Sequence, residues 1–329
     1  MLKSFYYLIR YFPFYFKLFR DYNRIKLYSK KLLSEVRLKF PQWEDVVSPE
    51  NQNRMRDYIL IQTMWTAGFC LLRGDRIEDN ELKAIVNISA LAPLYDDFFD
   101  KMDMPSDKII RLVNTPFDYN SSSSIEDLFL EFSKRVHQNV QDVPFYLENA
   151  KRVFKAQYES KKLVSDKSLN WEEIKDIAFE KGAATIICMC NMLNKKLSGQ
   201  EEKLMYQLGG IAQYLDDLFD LREDFIEGRQ TLANPMVSVY DKKNSFSVEV
   251  GVLKSMLKDF DYNNSNKKAF LFPVTYILGA TLLTLDRYAS LEKRTGGVFE
   301  IEKYSRDDLV VDMDQFSNRW KAFKLSSKV

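Results

Sequence analysis

The chain holds one histidine, His137, and three cysteines, Cys70, Cys188 and Cys190, in 329 residues. One imidazole excludes zinc centres built on several histidines and relays that pass a proton between histidines. Three thiols make no even disulfide framework and point to a reduced, cytosolic chain. Glycine (11) and proline (9) are also scarce. Sheets need frequent turns, so a chain this poor in breakers is expected to be all-α. A net charge of +1 gives no reason to expect nucleic acid as a general partner. No run of eighteen uncharged apolar residues occurs, and no membrane-spanning helix is expected. If the chain is an enzyme, its chemistry is expected to run on carboxylates, Lys, Arg and Tyr, and carboxylate oxygens favour a hard ion such as magnesium. His137 sits in a polar helical stretch and reads as a surface residue. Cys188-Met189-Cys190 reads as core packing inside a helix.

Hydrophobic residues make up 46% of the chain, enough for a sizeable core. Residues 1–45 form a basic, aromatic helical segment, and residues 46–329 read as one helical domain. Within residues 1–40, ten Lys and Arg face only Asp21 and Glu35. Phe, Tyr and Leu crowd the stretch from Phe5 to Phe19. Arg10, Pro13 and Lys17 interrupt it and no small-residue cleavage site follows, so it is a poor signal peptide. Such a segment suits the surface of an anionic membrane, or a helix packed over the body of the protein.

Helix signals recur. Ser48-Pro49-Glu50 is an N-cap with proline at the first helical position, and that helix should run to Arg73 and stop at Gly74. The next should start at Asp79 or Asn80, carry Leu82, Ile85, Ile88 and Leu91 inward, and fray near Met104-Pro105. Thr115–Ser124 reads as a loop. Asn170 with Glu173, and Ser198 with Glu201, look like capping boxes. The helices they open should reach about Leu193 and Phe225. Asp241–Ser245 and Asp261–Lys268 read as loops, and a long helix should cover Ala269 to Arg294.

Two acidic segments share one pattern. Asp96, Asp97, Asp100 and Asp103 fall at i, i+1, i+4 and i+7, and so do Asp216, Asp217, Asp220 and Glu223, with Asp224 following. At about 100° per residue each set lies within an arc of about 120°. Like charges at i,i+4 repel by about 0.2–0.5 kcal/mol per pair. Lys101 and Arg222 are expected to point away from the arcs, which leaves a divalent cation as the neutralising partner. A lone acidic patch is usually a solvated face. Here the pattern occurs twice, interrupts apolar helices, and has small residues behind it: Ser89, Ala92 and Pro93, then Gly209 and Ala212. Each cluster is therefore expected at the mouth of an under-filled apolar face.

These segments resemble the class I isoprenoid synthases. Asp96-Asp97-Phe98-Phe99-Asp100 is similar to their DDxxD signature. Asp220-x-x-Glu223-Asp224-x-x-x-Gly228-Arg229 is similar to the DxxED-x3-GR element of squalene and phytoene synthases, and to the second motif of large-terpene synthases. Lys181-Gly182-Ala183-Ala184 resembles the lysine helix of trans-prenyltransferases, and Arg287-Tyr288 an Arg-Tyr pair of terpene synthases. The resemblance spans about residues 50–295. It implies an all-α single-domain bundle with a central apolar cavity, three Mg²⁺ ions and a prenyl diphosphate substrate. Asp96, Asp97 and Asp100 would hold two ions, and Asp216, Asp220 and Asp224 the third, with Glu223 as an alternate ligand. Lys181, Arg229 and Arg287 would contact the leaving group and Tyr288 would donate a hydrogen bond. The implied reaction is ionisation of one prenyl diphosphate to a terpene hydrocarbon or alcohol. The alternatives are a head-to-head coupling of two, or a non-catalytic lipid-binding protein. No GGKRxRP-like loop precedes the first motif, which argues against condensation with isopentenyl diphosphate. Related folds often form homodimers, and the expected location is cytoplasmic, with peripheral membrane contact through residues 1–40 as the alternative.

Overall fold

The computed structural model describes residues 2–41, 43–236, 238–313 and 315–326, with side chains from residue 19 onward. Every regular element among the described residues is helical, as the scarcity of breakers predicts. The chain divides into two units, whose boundaries fall inside three of the helices.

The first unit comprises Pro13–Phe154 and Cys188–Leu197. It holds most of α1 (Leu2–Lys39), then α2 (Trp43–Val46), α3 (Pro49–Arg73), α4 (Asp79–Asp100), α5 (Ser106–Asn114), α6 (Ser124–Asn139) and the start of α7 (Val143–Ser160). Helix α4 is its axis and packs on α3 and α6. Leu82, Ile85, Ile88 and Leu91 are buried at the spacing their sequence sets. Ser48 accepts a hydrogen bond from the Asn51 amide at 3.1 Å and so starts α3. Gly74, at φ 81°, ends it in the left-handed conformation that favours glycine. In α1, Ile25, Ser29, Leu32 and Val36 are buried at helical spacing. That half of the segment is packed over its unit. The side chains of residues 1–18, on which membrane contact turns, lie outside the described residues.

His137 is a correction to the surface reading. It is half-buried, bonded to the Val113 carbonyl at 3.0 Å, with its ring edge-on to Phe117 and Tyr146. Burial pulls its pKa below the ordinary value, against the Val113 bond.

The second unit comprises Met1–Phe12, Lys155–Ile187 and Ser198–Val329. It contains α8 (Lys162–Ser165), most of α9 (Trp171–Asn191), α10 (Gly199–Phe219), α11 (Leu221–Glu227), α12 (Val239–Asp259) and α13 (Asn264–Arg294). A 3-10 turn (Ile301–Lys303), α14 (Arg306–Leu309) and α15 (Phe316–Ser326) follow. Helix α10 packs on α12 and α13, and α15 lies along α13. Helix α13 has the length and the mean hydropathy (1.6) of a membrane span, against the sequence expectation, and half of that window is buried. A Cβ at Gly279 of α13 would stand 2.1 Å from the Ala322 carbonyl oxygen, so α13 and α15 pack at near backbone contact there.

Three expectations fail in this unit. Asp241–Ser245 is helix, not loop: Ser238 caps α12, and Lys242 and Phe246 are buried one turn apart. Helix α13 starts at Asn264, inside the stretch expected to be loop. The small residues of α10 do not leave a face under-filled. A Cβ on Gly209 would come within 2.4 Å of the Ala183 Cα, and one on Gly210 would meet the Phe179 ring. Glycine here lets α10 and α9 approach closely.

Candidate active site

The last turn of α4 presents the first acidic segment. Asp97 is buried and heavily bonded. Arg54 Nη1 reaches its Oδ1 at 2.7 Å, Lys101 Nζ reaches the same oxygen at 3.2 Å, and Asn51 Nδ2 donates to Oδ2 at 3.1 Å. Burial raises this carboxyl, but Arg54 and Lys101 outweigh it and hold the pKa below the usual value. Asp96 accepts from the Tyr58 hydroxyl at 2.9 Å and has Arg54 at 4.0 Å. Asp100 is exposed at the helix end. Lys101 thus does not point away from the acids, a second correction: four residues after Asp97, it curls back over it. Behind the acids, Tyr95, Phe99 and Phe154 form an aromatic run with centroids 5.2 and 5.4 Å apart.

The second segment is built differently. The helix expected to run unbroken to Phe225 ends at Phe219, and a new one begins at Leu221 with Asp220 at the junction. The acids therefore sit on two short arcs around a bend. Asp217 is buried; it accepts from Gln213 Nε2 at 2.8 Å and from the Leu232 amide at 2.8 Å. Desolvation, then Asp216, push it up to about 6 against those bonds. Asp220 is open at the bend, yet desolvation and the carboxylates of Asp216, Glu223 and Asp217 raise it to about 7. Asp224 is buried and raised to about 8, chiefly by desolvation and Asp217. Lys181 on α9 acts on all three, pulling each down. Arg229 follows Gly228, which ends α11 at φ 66°, and turns back to Asp224 at 3.4 Å. Arg306 pairs with Glu223 at 2.7 Å.

Lys181 and Arg229, read from the sequence as contacts of a leaving group, lie beside the acids of the second segment. The other two predicted residues have other partners. The Arg287 guanidinium holds the carbonyls of Asp307 and Asp308 at α14. Tyr288 is fully buried and donates to the Leu218 carbonyl at 2.5 Å, bracing the end of α10.

Four further residues escaped the sequence reading. Asn51, Arg54 and Tyr58 fall at i, i+3 and i+7 of α3, so one polar stripe serves Asp96 and Asp97. That spacing was a readable signal. The fourth, Lys242, is buried; it donates to the Leu232 carbonyl at 2.7 Å and lies 4.4 Å over the Trp171 ring. Burial pulls its pKa down to about 8, with Asp217 opposing. Nothing in the sequence distinguished it from a surface lysine.

Does the donor set suit magnesium? Its donors are all carboxylate oxygens, and those of the second segment raise one another's pKa. Hard oxygen donors under mutual repulsion fit a hard divalent cation. Among the described residues, no three carboxylate, imidazole or thiol groups stand in ligating geometry as they are. The fit therefore rests on donor chemistry. No protein-family model matches the chain, and no curated protein matches it.

Proposed function

We propose that the chain is a magnesium-dependent class I terpene synthase that ionises a prenyl diphosphate. Its fold would be the single-domain class I bundle, with an apolar cavity beyond the acids. The observation that carries this reading is the second segment: four carboxylates bent around Asp220, with Lys181 and Arg229 beside them. So much negative charge gathered next to two cations suits a polyanion delivered together with metal ions.

The ions would be held by Asp96, Asp97 and Asp100 on one segment and by Asp216, Asp220 and Asp224 on the other, with Glu223 as alternate. Bound magnesium supplies electrophilic pull on the departing diphosphate. Lys181 and Arg229 add fixed positive charge where negative charge develops. Tyr288 holds α10 in register through Leu218, and Arg287 tethers α14. Tyr95 and Phe99 offer ring faces, whose quadrupoles stabilise a cation.

The test is incubation of the purified protein with C10 to C35 prenyl diphosphates and Mg²⁺. Pyrophosphate release with a hydrocarbon or alcohol from one substrate supports the reading. The Glu223-Asp224-x-x-x-Gly228-Arg229 element, with Arg229 folded back on Asp224, favours a second reading: head-to-head coupling, seen as a doubled carbon count. If no substrate in the series turns over, both enzymatic readings fall and a non-catalytic lipid-binding role takes their place.

A further inference from the structure

The turn that follows Arg229 is buried. It joins α11 to α12 within the second unit, and Thr231, Leu232 and Ala233 are all shut away from solvent. Loops normally run over the surface, because a buried one must find partners for its own N–H and C=O groups. This turn finds some of them within itself. The Thr231 amide donates to the Asn234 carbonyl at 2.8 Å, and the Asn234 amide donates to the Thr231 hydroxyl at 3.0 Å. Gln230 ties the turn to the end of α8. Its amide donates to the Leu163 carbonyl at 2.9 Å and its side chain to the Asp166 carbonyl at 2.6 Å.

Leu232 is held in another way. Its amide donates to Asp217 Oδ2 at 2.8 Å, and its carbonyl accepts from Lys242 Nζ at 2.7 Å. The two backbone groups of one residue thus take a carboxylate on one side and an ammonium on the other. Hydrogen bonds with an ionised partner are about twice as strong as neutral ones. Asp217 is also the carboxylate whose charge acts on Lys242. Helix α10 braces both ends of this grip. It carries Asp217 itself, and three residues earlier the Tyr214 hydroxyl donates to the carbonyl of Lys242 at 3.0 Å.

A buried ammonium costs more than an apolar group of the same length unless its geometry is good. At this position the charge does what a methionine could not: it fixes the Leu232 carbonyl. The same turn places Arg229. Asn234 Nδ2 donates to the Arg229 carbonyl at 2.5 Å, the Arg229 amide donates to the Asp224 carbonyl at 2.8 Å, and the guanidinium stands 3.4 Å from the Asp224 carboxylate.

We propose that Asp217 and Lys242 are a positioning pair. By gripping Leu232 from both sides they hold the buried turn that sets Arg229 beside the second acidic segment. The inference rests on the diphosphate-binding reading above. It also separates Asp217 from Asp216 and Asp220: Asp217 works on the chain and not on the metal.

Two measurements on the full chain test this. Amide hydrogen exchange, read by mass spectrometry, reports on the turn. Calorimetric titration with inorganic pyrophosphate and Mg²⁺ reports on the site. Lys242→Met keeps the buried stem and removes the charge. It should speed exchange across residues 229–234 about tenfold or more, while residues 278–288 of α13 stay as they were. It should also weaken pyrophosphate about fivefold or more. In an Arg229→Ala background the same substitution should weaken pyrophosphate no further, because the pair acts through Arg229. A merely structural lysine would not give that result.

Asp217→Asn supplies a second arm that stands even if Lys242→Met does not fold. It keeps an acceptor for the Leu232 amide, so exchange should stay near that of the wild type, and the Mg²⁺ requirement should move less than about twofold. Asp220→Asn should raise that requirement about tenfold or more. If the wild type does not bind pyrophosphate with Mg²⁺, the reading beneath this one falls and takes the proposal with it. If the wild type binds, three results would overturn the proposal alone: exchange and affinity unchanged in Lys242→Met, losses that add with Arg229→Ala, or an Asp217→Asn variant that loses Mg²⁺ as Asp220→Asn does.

Discussion

The two acidic segments share one spacing and solve its charge problem in opposite ways. On α4 the counter-charge is supplied by the chain: Arg54, Lys101 and Asn51 converge on Asp97, whose pKa falls. Around Asp220 the acids outnumber the cations that reach them, and Asp217, Asp220 and Asp224 all rise. Spacing along a helix sets which acids share a face. It does not set what faces them, because that comes from other elements. On the proposed reading the second segment is therefore the one whose charge would be met by metal, while the first is partly satisfied by the chain itself.

The largest effect expected is on turnover. Asp96→Ala and Asp220→Ala should each lower it about 10²- to 10³-fold or more, the loss expected when charge stabilisation at a reacting centre is removed. The folded state should respond unequally. Asp220→Ala relieves repulsion and should keep or raise the melting temperature, whereas Asp96→Ala also removes the hydrogen bond from the Tyr58 hydroxyl. Full activity in both variants would break the metal assignment.

Next in size is the stabilising role of Arg54. Arg54→Leu strands a buried carboxylate that retains only Lys101 and Asn51, and should destabilise the protein by about 3 kcal/mol. Adding Asp97→Asn removes the stranded charge, so the double variant should lose less than the two single losses summed. Strict additivity by chemical denaturation would show that the pair is not coupled.

The pH dependence of stability should separate the segments by sign. Asp217, Asp220 and Asp224 have raised folded values, so their contribution is full below about pH 4, the unfolded carboxylate range. It is lost as pH rises through about 6 to 8. Asp97 has a lowered value, so its contribution is full above the unfolded range and disappears only as pH falls through the depressed folded value. In chelator, melting temperature should fall from pH 5 to pH 8 by the equivalent of about 2 kcal/mol, a figure discounted because Asp220 is open to water. Asp220→Asn with Asp224→Asn should flatten that slope, and added Mg²⁺ should oppose it. An unchanged slope in the double variant would place its cause elsewhere.

Local features of the chain were legible for local reasons. Ser48, Gly74 and Ser198 fix helix ends through their own side chains or φ, so their positions could be read directly. Leu82 to Leu91 fix a buried face by periodicity alone. The misreadings come from contacts distant in sequence. The polar run Asp241–Ser245 looks like a loop until Lys242 is seen bonding Leu232 and covering Trp171. Gly209 looks like space for a ligand until Ala183 is found against it. The two acidic segments could be picked out by their spacing, and Lys181 and Arg229 lie beside the second. The Asn51-Arg54-Tyr58 stripe was readable as a stripe, but its target was not.

Lys101 offers the smallest and most discriminating test, because sequence and structure disagree on where it points. At 100° per residue its Cβ falls outside the acid arc, though only about 40° past Asp97. The ammonium nevertheless ends 3.2 Å from Asp97 Oδ1, since a four-carbon stem reaches one turn back along the surface. More than half of the side chain is exposed, so water screens the pair. Lys101→Ala should therefore cost no more than about 0.5 kcal/mol, with the effect shrinking further in high salt. The informative reading is the carboxyl resonance of Asp97, followed by NMR as pH is lowered. It should titrate at a higher pH in the variant, yet still below an ordinary aspartate, because Arg54 remains. If its titration is identical with and without Lys101, the lysine does not reach the acid, and Arg54 and Asn51 alone account for the difference between the two segments.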